Sequence, residues 1–96
     1  MEKIYDRNNQ TYGYFSNGNI YNKNNIMVGR VSGNTMFDKK SKPLGYFYNN
    51  CFYNMKNETV GYSNNFAVYD NQYQHKGHVN STFGGLLAAA ALLLFF

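Results

Sequence analysis

Tryptophan is absent from this 96-residue chain, and cysteine and proline occur once each, as Cys51 and Pro43. A lone cysteine excludes an intrachain disulfide and a zinc site of the multiple-cysteine kind. It points to a reducing compartment, and Met1–Arg7 lacks the apolar stretch of a secretory signal, so a cytoplasmic location is expected. The chain is too short for more than one domain, 1–96, and leaves no room for a separate catalytic one. What it has instead is 10 Tyr, 8 Phe and abundant Asn. That mix favours strands joined by tight turns and predicts a mainly β protein.

The strongest signal is a repeat. Gly13, Gly29, Gly45, Gly61 and Gly77 are spaced by 16 residues, as are Tyr5-Asp6, Tyr21-Asn22, Phe37-Asp38, Tyr53-Asn54 and Tyr69-Asp70. An apolar residue precedes each pair: Ile4, Ile20, Met36, Phe52 and Val68. Each unit reads as two short strands. The Asp or Asn opens one turn by hydrogen-bonding nearby backbone, and Ser/Asn/Gly clusters such as Ser16-Asn17-Gly18 supply the positive φ of the next. The expectation is a closed ring of short antiparallel hairpins over residues 1–82, from five 16-residue repeats.

Alternation sorts the faces, because residues two apart on a strand point the same way. Gly13 with Phe15 and its equivalents form one face. Tyr12 with Tyr14, Val28 with Arg30, Leu44 with Tyr46, Val60 with Tyr62 and Lys76 with His78 form the other. Arg30, Lys76 and His78 mark that second face as solvent-facing, so the glycine face is expected inside. A column of strand glycines implies close approach of a shared neighbour.

Residues 83–96 are read as that neighbour, one apolar C-terminal helix buried by the ring. Gly84–Phe96 carries no charge and is rich in Leu and Ala, strong helix formers. A helix apolar all round must be covered by protein or lipid. Spanning a bilayer takes about 20 apolar residues, more than this segment has. Left in water, its five Leu and two Phe would expose apolar surface worth about 10–20 kcal/mol. As a helix, Leu86–Phe96 spans about 16 Å, close to the roughly 17 Å of a five-residue strand. The four alanines are expected to face the glycines, with the leucines filling between Ile4, Ile20, Met36, Phe52 and Val68. Arg7, Lys23, Lys39, Lys40, Lys42 and Lys56 all fall in the turns after the Asp/Asn column. The helix would enter at the opposite end, past Asn80-Ser81-Thr82 as caps, and end among these lysines, the favourable sense for its dipole.

With its Tyr5-Asp6 type pairs, Gly13 type column and Leu86–Phe96 tail, the chain resembles the small bacterial proteins called four-fold beta flowers. In these, hairpins surround a C-terminal Leu/Ala-rich helix. The resemblance implies the fold and no activity. One departure is that five glycines and five aromatic pairs are present, with strands around Ile4 and Val79 left to pair and close the ring. The number of petals, four or five, stays open.

No catalytic constellation is found, so an enzyme is not expected, nor is a cofactor or metal. His75 and His78 could share one side but lack a third ligand, and read as surface histidines. Cys51 stands in the column of Asn19, Thr35 and Ala67 and reads as a small strand residue. Glu2, Asp6, Asp38, Glu58 and Asp70 are dispersed, and the aspartates belong to the turns. The candidate binding surface is Tyr14, Tyr46 and Tyr62 beside Arg30, which could stack on bases or sugar rings. Cross-strand aromatic pairing explains the same tyrosines. The net charge of +4 is modest, and a nucleic-acid partner has no firm support. The leading expectation is a non-enzymatic structural or interaction module that could take a protein partner. The alternatives are a membrane-associated protein inserting its C-terminal segment, disfavoured by length, and a weak glycan or single-stranded nucleic-acid binder.

Overall fold

The computed structural model describes residues 1–80 and 82–96. Its strands are β1 Glu2–Asp6, β2 Thr11–Ser16, β3 Asn19–Asn22, β4 Met27–Ser32, β5 Thr35–Asp38, β6 Pro43–Tyr48, β7 Cys51–Asn54, β8 Thr59–Asn64, β9 Ala67–Asp70 and β10 His75–His78. Helix α1, Phe83–Ala90, follows, and continues as a π-helical turn over Ala91–Phe95. Each strand pairs antiparallel with its sequence neighbours, and β10 pairs with β1, giving a closed barrel. Among the described residues, closure leaves no strand edge exposed for pairing with another chain.

The closing pair places Tyr5 opposite His78 and Asp6 opposite Gly77. In β2–β3, Tyr14 faces Tyr21 and Gly13 faces Asn22 in the same way. The strands at the two chain ends therefore pair as the sequence suggests, as a hairpin without a turn. The chain leaves for the helix where that turn would be.

Two kinds of turn alternate. After β1, the Asp6 carboxylate accepts the N–H of Asn8 (2.8 Å) and of Gln10 (3.0 Å). Asp6 N–H donates to the Gln10 carbonyl (2.9 Å), and Asn9 takes a positive φ. This is a three-residue hairpin loop closed by a left-handed residue. Asn22, Asp38, Asn54 and Asp70 repeat both side-chain bonds. At the other end of the barrel, Asn17-Gly18 and Asn49-Asn50 have positive φ at both positions, the signature of a type I′ hairpin. Asn65-Phe66 does the same, and there a bulky side chain takes a conformation that costs about 1–2 kcal/mol.

The Asp70 turn is expected to respond to pH. The hydrogen bond from Gln74 N–H does most to hold the Asp70 carboxyl below its ordinary value; desolvation opposes it, and Gln72 N–H and the Lys76 charge add to it. A lowered folded-state pKa means stability that is present above the unfolded-state value and lost as pH falls through the folded one. Asp70→Asn keeps the turn, because Asn22 and Asn54 make the same bonds. The parent is expected to melt above this variant at neutral pH, with the gap closing as pH falls. A gap independent of pH would deny the carboxylate this role.

Register shifts recur where each aromatic strand meets the following glycine strand. Ile4 faces Gly13 while Tyr5 faces Thr11, which leaves Tyr12 unpaired. The same bulge leaves Val28, Leu44, Val60 and Lys76 without a partner. A bulge adds one residue and breaks alternation. The expectation that this column shares the solvent face with Tyr14 and Arg30 is therefore corrected: Val28, Leu44 and Val60 pack against the core.

Ile4, Ile20, Met36, Phe52 and Val68 are fully buried with Leu87 and Ala88–Ala91. The glycine face points inward, as expected, but its neighbours differ. A Cβ on Gly45 would fall on the Tyr53 carbonyl oxygen of the paired strand and lie 2.7 Å from Phe95 Cζ. Gly61 and Gly77 meet the carbonyls of Tyr69 and Tyr5 in the same way, with Leu94 and Leu93 next, and Gly13 meets Leu92 and Tyr21. At four of the five glycines side chains of the π-helical turn, not the alanines, thus stand at this column, while Gly29 meets the Phe37 carbonyl and Ile20.

Thr82 caps α1, its hydroxyl accepting Gly85 N–H at 2.9 Å. Ser81 lies outside the described residues. Glu2 of β1 supplies the acid that the first helical turn lacks: its carboxylate accepts the Thr82 N–H (3.3 Å) and the Thr82 hydroxyl. A negative charge at a helix N-terminus is stabilising, and this one ties the two ends of the chain together. At the other end Phe96 lines clefts with Lys23 and with Lys39 and Lys40, so the chain direction agrees with the expected sense.

Candidate interaction surfaces

Tyr14, Arg30, Tyr46 and Tyr62 lie on β2, β4, β6 and β8, with one strand between each and the next. They occupy the same register position on separate hairpins, and the fold does not gather them into one cleft. Each has a neighbour of its own. Tyr14 faces Tyr21. Arg30 sits over the Phe37 ring at 4.2 Å, with Nε donating to Ser41 Oγ at 3.4 Å. Tyr46 stacks on Tyr53 at 5.1 Å, and its hydroxyl donates to Asn57 Oδ1 at 2.5 Å. Tyr62 stacks almost parallel on Tyr73 at 4.3 Å. The two tyrosine stacks are worth about 0.5–1.5 kcal/mol each, and they leave the Tyr46 and Tyr62 rings only in part free for a ligand.

The phenol groups respond to this packing. Hydrogen bonding with Tyr73, then desolvation, holds the Tyr62 phenol above its ordinary value. Tyr53 is raised by hydrogen bonding with Cys51 and by desolvation. Cys51 is half-buried opposite Tyr62 and Tyr48. Tyr73 was not a candidate from sequence; it occupies the left-handed position of the fifth Asp/Asn turn, a column otherwise of Asn and Ser.

His75 and His78 do share a side. The bulge between β9 and β10 takes up one residue of their spacing, and the rings stack at 6.2 Å, flanked by Tyr69 and Tyr5. Among the described residues no group of three potential ligands forms around them or elsewhere.

The second surface is the end of the barrel bearing the Asp/Asn turns. Around Phe96 the clefts are lined by Tyr12, Asn22, Lys23, Asn24, Val28 and Leu92, and by Asp38, Lys39 and Lys40. Large apolar side chains stand exposed here: Ile26 (58 %), Met55 (53 %) and Phe96 (51 %), with Met27 beside them. The signal in the sequence is that Ile26 and Met55 interrupt turn columns otherwise filled by polar residues. Among the described residues no helix is long and apolar enough to cross a membrane.

No curated protein and no solved structure matches the chain. The family model described as 5-fold beta-flower protein matches it over residues 1–96. The chain therefore belongs to the 5-fold beta-flower family, the count being five where the sequence resemblance had named four.

Proposed function

We propose that the protein is a non-enzymatic interaction module, without a cofactor and acting in the cytoplasm. Its apolar C-terminal segment is a permanent axial plug, and its outer wall and loops are the contact surfaces. In this reading five repeats stand around one axis. The observation that carries it is the order in which successive residues of the plug meet the barrel: Leu92 at Gly13, Leu93 at Gly77, Leu94 at Gly61 and Phe95 at Gly45. That is one hairpin per residue in the order of the strands.

Five hairpins around an axis stand about 72° apart, whereas an α-helix turns about 100° per residue. A turn widened to i→i+5 bonding brings the two closer, and Phe96 N–H does bond to the Ala91 carbonyl at 3.1 Å. The dimensions support the same arrangement. The molecule measures 30 × 29 × 19 Å, and Phe83–Phe96 at about 1.5 Å per residue spans roughly 20 Å, the short dimension.

A plug so fitted serves the fold, which argues against its release into lipid. The stacking of Tyr46 and Tyr62 on their own neighbours likewise favours a structural role for the outer tyrosines over base or sugar binding. Removing Leu86–Phe96 tests the reading: a module organised by its plug loses its fold. A barrel that survives the deletion would assign the segment to a partner outside the barrel.

A further inference from the structure

We propose that the end of the barrel formed by the β3–β4, β5–β6 and β7–β8 loops docks on an anionic lipid surface while the plug stays inside. This rests on the interaction-module reading and names the partner of one of its surfaces. The three loops are adjacent in the barrel and share one hydrogen-bonded form, so their tips reach one level. They carry Lys23, Lys39, Lys40, Lys42 and Lys56 against Glu58 and, at the end of β5, Asp38. Asp38 Oδ1 is engaged by the backbone N–H of Lys40 and Lys42, and Glu58 Oε1 by Asn54 Nδ2. Five positive charges thus stand against two negative ones, and Lys23, Lys39 and Lys40 line the clefts beside Phe96.

Charge alone would suit nucleic acid as well. What separates the two is the apolar side chains set among the lysines. Ile26 and Met55 project from the same loops, Met27 follows Ile26 at the start of β4, and Phe96 lies beside Lys23 and Lys39. Exposed Ile and Met cost free energy in water and gain nothing from a phosphate backbone. At a bilayer surface they enter the headgroup and acyl boundary, about 5–10 Å deep, while lysines meet anionic headgroups. Fixed loops on a closed barrel present both at once without any unfolding.

The test is co-sedimentation of the full chain with vesicles of phosphatidylcholine mixed with phosphatidylserine, against phosphatidylcholine alone. Binding is expected only with phosphatidylserine and should weaken as salt is raised. Lys39→Glu with Lys40→Glu, and separately Ile26→Ser with Met55→Ser, should each lower partitioning by about tenfold or more. Both pairs sit on exposed loops, and unchanged melting would verify that the barrel is intact.

Absence of binding, equal binding to neutral vesicles, or binding unaffected by either pair would overturn the docking proposal alone. So would a single-stranded oligonucleotide binding in place of the vesicles. Loss of amide protection at Ala88–Ala91 on vesicle binding would instead overturn the plug reading, since the helix would then have left the barrel.

Discussion

Gly45→Val is expected to lower stability by about 3 kcal/mol or more, at the upper end of overpacking effects, and the melting temperature by about 12 °C or more. The first obstacle is backbone: a Cβ at this position falls on the Tyr53 carbonyl oxygen, which belongs to the strand paired with β6. A carbonyl in a ladder cannot move without breaking its own hydrogen bond. The second is Phe95, 2.7 Å away, which can rotate. Gly45→Ala should therefore carry most of the cost, and Phe95→Ala should rescue Gly45→Val only slightly in a double-mutant cycle. Full rescue would place the constraint in the plug alone. An unchanged melting temperature for Gly45→Val would remove the inward assignment of the glycine face.

Deletion of Leu86–Phe96 is expected to abolish the folded monomer. Leu86, Leu87 and Leu92 are 5 %, 0 % and 4 % exposed, and at about 1.5–3 kcal/mol each they contribute roughly 5–9 kcal/mol. That alone matches the total stability of an ordinary domain, about 5–15 kcal/mol. The deletion also strips contacts from Ile4, Ile20, Met36, Phe52 and Val68, all buried in the same cluster. Size-exclusion chromatography and circular dichroism should show an unfolded or aggregated chain. A soluble monomer with the parent's β spectrum would contradict the plug.

Much of this was legible in the residues. The glycine and Asp/Asn columns announce strands, turns and closure, because each is a local requirement repeated at a fixed interval. The sense of the helix follows from the end of the ring at which the last strand finishes, and the lysines at the far end agree with it. The bulges were not legible, since an unpaired residue is a property of two strands together; Val28, Leu44 and Val60 in a column read as solvent-facing were the only sign. The π-helical turn depends on how residues of the tail meet glycines on four different strands. No local pattern encodes that. Glu2 at the cap of a helix 80 positions away is likewise set by closure of the barrel. The candidate tyrosines were correctly placed on strands, but what each one stacks on depends on register and on turn residues such as Tyr73.

Native-state hydrogen exchange at the amides of Ala88–Ala91 tests the axial plug most directly. If the helix is the axis on which the barrel is built, these amides open only by global unfolding. Their opening free energy and denaturant dependence should equal those of Tyr46 and Phe47 in β6. Exchange through a lower-energy opening that leaves the β6 amides protected would contradict it, since the helix could then leave while the barrel stayed closed.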